Sequence, residues 1–161
     1  KIGYFLNDLN AQGFDVRSKI IEYGIQPAPP DEARRLRIDQ NKPVLHFQRL
    51  VYADGRPIAL GKGWHNFGEA VTFTAKELES GSVFMLLKRK YGITLTSGRR
   101  IIQAALAHQD EAELLEIAPR SALLLIELLV YDNHRQPVSS VKSLYRSDRY
   151  KYEHRVRGLA T

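Results

Sequence analysis

Alternation of apolar and polar positions with a period of two marks Val44–Tyr52 and Pro57–His65 as two strands, and Leu123–Tyr131 and Pro137–Tyr145 as two more. The segments between them, Ala53-Asp54-Gly55-Arg56 and Asp132-Asn133-His134-Arg135-Gln136, are rich in residues that tolerate positive φ, so each pair is predicted to be a β-hairpin. Helical spacing covers Ile2–Gln12 and Val83–Tyr91, and both segments stop at a glycine, Gly13 or Gly92, as a left-handed cap requires. A strand follows each helix, one containing Ile20-Ile21 and the other Ile101-Ile102, and the stretch Pro27 to Pro30 closes the first because proline cannot donate to a ladder. A short helix then opens, with Asp31 or Asp110 expected as its N-cap. The run Ala122 to Val130 is apolar on both faces, which predicts a central strand covered on both sides.

The two sets of elements repeat. A shift of 79 positions lays Gly13 on Gly92, Ser18 on Ser97, Asp31-Glu32-Ala33 on Asp110-Glu111-Ala112, and Leu50-Val51-Tyr52 on Leu129-Val130-Tyr131. There are 14 identities in the 54 positions from Gly3 to Arg56, where composition alone would give roughly three. One extra residue in the second copy moves the offset to 80, pairing Pro57 with Pro137 and Lys62 with Lys142. The predicted fold class is therefore α+β: an antiparallel sheet of about six strands with helices, built from two pseudo-symmetric α-β-α-β-β halves. The halves span residues 2–65 and 82–145, with a connector at 66–81. Clefts form where such halves meet, which makes their junction the expected ligand site.

Composition narrows the chemistry. The chain has 161 residues, 24 basic and 18 acidic side chains, a net charge of +6 and no cysteine. Disulfides, thiolate metal sites and cysteine nucleophiles are thereby excluded. No apolar run approaches the roughly 20 residues of a membrane span, and the expected location is cytoplasmic. The five histidines show no i, i+4 metal pairing, no nucleophile-elbow serine or phosphate-binding glycine loop occurs, and neither catalysis nor a cofactor is expected. The basic clusters Lys88-Arg89-Lys90, Arg99-Arg100 and Arg146 through Arg157 lack any accompanying nucleic-acid motif and read as solvated faces. The chain opens on Lys1, so it is expected to be a piece of a longer protein.

Five segments in order carry a resemblance: Arg49 through Ile58 across the first hairpin, Gly81-Ser82-Val83-Phe84, Tyr131-Asp132, Gln136-Pro137-Val138, and Tyr145 through Tyr150, preceded by Phe5 and Gly13. Together they resemble the UTRA domain, the effector-binding domain of the HutC branch of the GntR superfamily of bacterial regulators, whose fold is similar to that of chorismate lyase. The resemblance implies a small-molecule effector, a winged helix-turn-helix domain upstream that binds operator DNA, and a homodimer. An enzyme of the chorismate lyase kind, acting on an aromatic carboxylic acid, is the alternative that the fold suggests.

Arg49 is the foremost candidate for ligand contact. The period of two places it with Leu45, Phe47 and Val51 on one strand face, and its repeat mate is Leu128. A guanidinium on an apolar face is costly unless an anion or an acid satisfies it, so Arg49 holds either a ligand or an internal carboxylate. The resemblance matches it to the first of two arginines that hold a ligand phosphate or carboxylate. It also places Tyr145 at the family's effector-contacting tyrosine, with His65 as its counterpart in the first half. Ser82, in Ser80-Gly81-Ser82, stands where the family lines the phosphate end of the pocket, although an ordinary helix cap explains it too. Ser139 completes the candidate set at a position where the family carries an acid. Further departures are Val51 for the second arginine, Gly61 for another acid, and Leu6 for a hydroxyl residue. The family's acids hold sugar hydroxyls, so their loss favours a smaller or less charged ligand than a phosphosugar.

Overall fold

The computed structural model describes residues 9–159. Its strands are β1 (Val16–Pro27), β2 (Pro43–Ala53), β3 (Arg56–His65), β4 (Ser97–Leu106), β5 (Ala122–Tyr131) and β6 (Pro137–Arg146). They form one antiparallel sheet in the order β1-β2-β3-β6-β5-β4. The helices are α1 (Pro30–Leu36), α2 (Ala75–Glu79), α3 (Val83–Tyr91) and α4 (Gln109–Leu115). The N-terminal helix expected from Ile2, with Phe5 and Leu6, falls largely outside the described residues; residues 9–11 are helical, and the Leu9 side chain is buried.

The sequence repeat is a backbone repeat. Helices α1 and α4 end on left-handed residues 79 positions apart, Arg37 at φ 55° and Glu116 at φ 57°. Each is followed by the same closing bond, Ile38 N–H to Ala33 and Ile117 N–H to Ala112, both at 3.0 Å. Helix α3 stops at Gly92 with φ 68°, as its glycine predicts. The first hairpin turns through Asp54 and Gly55, both at positive φ, the combination whose twist matches the flanking strands.

Three expectations change. Asp31 and Asp110 do not cap their helices: Pro29 and His108 occupy the caps, and the aspartates lie in the first turn, where a carboxylate still meets the positive end of the helix dipole. The connector contains α2, opened by Thr74 and Glu77 in a reciprocal capping box. Strand β5 is not central. It lies one strand in from the β4 edge, and Leu124, Leu125 and Leu128 remain partly exposed, because the junction of the halves places β3 and β6 in the middle.

That junction has a local twofold axis. Lys62 of β3 pairs in register with Lys142 of β6, which is its own repeat mate. On the face of the sheet that bears α1 and α4, each lysine meets a buried carboxylate from the other half: Lys62 Nζ lies 3.1 Å from Glu111 of α4, and Lys142 Nζ lies 3.3 Å from Glu32 of α1. Glu32 also accepts from Ser140 Oγ at 2.6 Å, and Glu111 from the His108 backbone N–H at 2.9 Å. Ala112 and Leu115 of α4 pack on Leu50, Leu60, Leu123 and Leu144, and Ala33 of α1 packs on Val44.

On the opposite face, α2 and α3 cover Leu45, Phe47 and Val130 through Leu78, Val83, Phe84 and Leu87. A second cluster, centred on Val51, Ala59, Ile126, Tyr145 and Tyr150, fills the other end of that face. Between the two clusters, over the twofold junction, the sheet is not filled.

Candidate functional site

A cavity of about 90 Å³ opens at that unfilled place. Its floor contains Gly61 and Gly63 of β3 beside Ser143 and Val141 of β6, and the register pairs Gly61 with Ser143 and Gly63 with Val141. Glycine at both inward positions of β3 keeps side chains out of the floor, and the His65 imidazole takes the space above Gly63. Phe47 and Arg49 of β2, Leu128 and Ile126 of β5, Ser82 and Phe84 at the start of α3, and Arg100 and Tyr152 form the walls. The repeat mates Arg49 and Leu128, and His65 and Tyr145, all face the same space. The first half thus supplies the charged member of one pair and the smaller, imidazole ring of the other.

Arg49 is 5% exposed. Its guanidinium donates to Ser18 Oγ at 3.4 Å and lies 5.6 Å from the Phe47 ring centre. No ion pair joins it to a carboxylate among the described residues. Burial pushes the Arg49 guanidinium down to about 10, and Glu79 offsets part of that fall. Glu79 is held close by the β1 edge, where Ile20 N–H donates to its carboxylate at 2.9 Å and Ser18 Oγ donates to its backbone carbonyl at 2.9 Å. The charge remains at neutral pH without a paired acid, which is the condition under which a buried cation attracts an anionic guest.

Ser82 caps α3, its Oγ accepting from Phe84 N–H at 3.2 Å, and it also borders the cavity. Tyr145 is fully buried and stacks on Tyr150 at 4.0 Å between ring centres. Ser139 does not line the cavity. It stands behind His65, with Oγ 2.7 Å from His65 Nδ1, because the β3/β6 register pairs the two residues directly. The residues that the sequence left unassigned are Ser143, Arg100 and Tyr152; Arg100 donates to Tyr152 OH at 3.4 Å. Arg100 sits opposite Leu128 in the ladder and could have been placed by strand alternation once β4 and β5 were paired.

His65 lies between Phe47 and Phe67, each ring centre at 5.1 Å, and its other nitrogen, Nε2, is buried without a hydrogen-bond partner. A Cβ on Gly63 would collide with Nε2, so the glycine makes room for the imidazole. Burial, reinforced by the positive charges of His46 and Arg49, pushes His65 down from 6.5 to about 3. The unfolded chain therefore takes up this proton at a higher pH than the folded chain. Stability is expected to decline as pH falls from about 6.5 toward 3, by ~1.4 kcal/mol per pH unit, and to be insensitive to this group above that window. Urea unfolding between about pH 6 and pH 4 checks this, with His65→Phe expected to show the shallower decline.

Comparison with known proteins adds the decisive observation. The family model described as the UTRA domain matches residues 11–151. The chain belongs to the UTRA domain family. The effector domain of PhnF from Mycobacterium smegmatis has the same fold, with a TM-score of 0.83, 25% identity, and coverage of 98% of this chain and 97% of that one. YydK from Bacillus subtilis superposes with a TM-score of 0.83 at 19% identity, over 90% of this chain and 64% of that one. In sequence, this UTRA domain is 23% identical to the HTH-type transcriptional repressor NagR of Bacillus subtilis, over 93% of this chain and 61% of the relative. The chain spans about three fifths of the length of the first curated relatives it matches. UTRA domains are the effector-binding domains of GntR/HutC regulators with a chorismate lyase-like fold, and the relatives are transcription regulators, not lyases.

Proposed function

We propose that this UTRA domain is the sensing part of a cytoplasmic bacterial transcription regulator and binds a small anionic metabolite in the cavity over its twofold junction. Binding changes how a DNA-binding domain outside this chain engages its operator. The observation that carries this reading is Arg49, a buried cation facing an open cavity with no ion-paired carboxylate among the described residues. Phe47, Phe84, Ile126, Leu128 and Val141, with no acidic side chain among the described lining residues, disfavour a polyhydroxylated sugar and suit a compact anion.

Regulation requires that the ligand bind the two arrangements of the full regulator unequally; an equal affinity shifts nothing. A homodimer would couple two such domains to two DNA-binding heads, and gel filtration of the full-length regulator checks that assembly.

The test is calorimetry of wild type and Arg49→Ala against phosphate, sulfate, methylphosphonate and short carboxylates. Binding by at least one of these anions to wild type, and its loss in the variant, is the expected result. Equal responses from the two proteins remove Arg49 from the site and with it the reading. Among the anions that bind, those that also release operator DNA from the full-length regulator are effectors.

A further inference from the structure

The imidazole of His65 has one nitrogen anchored and the other bare. Nδ1 is held by Ser139 Oγ at 2.7 Å, and among the described residues this is the only partner of that hydroxyl. A hydroxyl proton needs an acceptor, and Nδ1 is the one within reach, so Ser139 donates and Nδ1 accepts. The proton of the neutral ring then resides on Nε2, which becomes a donor. Among the described residues Nε2 has no partner; it lies above Gly63 and belongs to a residue 1% exposed that borders the cavity. Phe47 and Phe67 clamp the ring, so it cannot turn away to satisfy itself elsewhere. An orphaned donor in a buried site costs free energy until an acceptor arrives.

We infer that His65 Nε2 is the specificity-determining donor of this cavity, and that the ligand class is a small anion whose far end carries one neutral hydrogen-bond acceptor such as a ketone or amide carbonyl, joined by an apolar middle. Ser139 is the positioning residue that fixes the tautomer. The inference rests on the proposed effector site and adds a second pole to it. In the β2/β3 register Arg49 lies opposite Gly61, four residues from His65. The two poles are thus separated by about 13 Å of strand at ~3.3 Å per residue. The long Arg49 side chain closes part of that gap, leaving a span of a few methylenes between anion and carbonyl. Val141, Leu128 and Phe84 give that span an apolar side, beside the Ser143 hydroxyl on the floor.

The probes are hexanoate and 5-oxohexanoate, which share one carboxylate and one chain length and differ in a carbonyl. Calorimetry of wild type is expected to give about tenfold tighter binding for 5-oxohexanoate, the value of one well-made hydrogen bond. In His65→Phe, which keeps an aromatic ring between Phe47 and Phe67, the ratio is expected to fall to about one, with hexanoate changed less than about threefold. In Ser139→Ala, which leaves the ring in place should His65→Phe fail to fold, the ratio is expected to drop. Nitrogen-15 spectra of His65 should then show the proton shared between Nδ1 and Nε2, where wild type shows it on Nε2 alone. A merely structural serine would alter stability without moving that signal.

Binding of both probes that depends on Arg49 but does not distinguish them overturns this inference and leaves the effector site standing. Preserved discrimination in His65→Phe overturns it as well. Failure of every anion tested to bind wild type overturns both.

Discussion

Replacement of Arg49 by leucine is expected to stabilise the ligand-free domain by about 1–3 kcal/mol and to weaken anion binding about a hundredfold. Leucine is the residue that the second half carries at the matching place, Leu128, so the substitution makes the two halves alike on that face. The gain in stability follows from burial: the guanidinium is almost fully removed from water, has only a 3.4 Å bond to Ser18 and the Phe47 ring as partners among the described residues, and feels Glu79 without an ion pair to it. The loss in affinity follows from the same fact, because the desolvated cation attracts an anion more strongly than a surface arginine would. Urea unfolding and calorimetry on the two proteins measure both effects. A less stable variant with unchanged anion affinity would mean that Arg49 serves the fold. Arg49→Lys is expected to fall between the two, since it keeps the charge but cannot form paired, parallel hydrogen bonds.

Removal of either buried glutamate, by Glu32→Ala or Glu111→Ala, is expected to cost about 2 kcal/mol. A fully buried pair broken on one side would cost more, but Lys62 and Lys142 are partly exposed and water screens them. The cost is concentrated by the twofold junction. The two lysines are direct cross-strand neighbours, and like charges placed so are unfavourable unless the carboxylates intervene. For a domain of this size ~2 kcal/mol corresponds to a fall in Tm of about 4–8 °C. The pairs join the two halves reciprocally, helix of one to strand of the other. The double variant is therefore expected to lose more than the sum of the single losses, and a double-mutant cycle measures that excess. Simple additivity would show that each half holds its own ion pair independently.

Much of the architecture was legible along the chain. The 79-residue repeat reappears in the two left-handed caps and in two equivalent buried glutamates, and the two hairpins form between the expected segments. The resemblance to the UTRA family, carried by five short segments, agrees with the match over residues 11–151. Period-two alternation was enough to put Arg49 on an apolar strand face. It was not enough to place β5, whose continuous apolar run suggested the middle of the sheet. An apolar run records burial and says nothing of the order in which distant strands pair.

The candidate site divides the same way. Arg49, His65, Ser82 and Tyr145 were singled out in the sequence, and the fold brings all four to one cavity, whereas Ser139 stands behind His65. Arg100 and Tyr152 join them from segments with no local signal of a site.

The sequence by itself determined the duplication, the strands and turns within each copy, and the oddity of one arginine among apolar neighbours, because these depend on covalent spacing and on residue type. Only the tertiary structure decided that the copies meet at Lys62 and Lys142, that glycine at 63 admits the His65 imidazole beside the cavity there, and that His65 keeps a nitrogen unsatisfied among the described residues. Each of those depends on which atoms of remote segments come within a few ångströms, a matter settled by packing and strand register and not written into any local pattern.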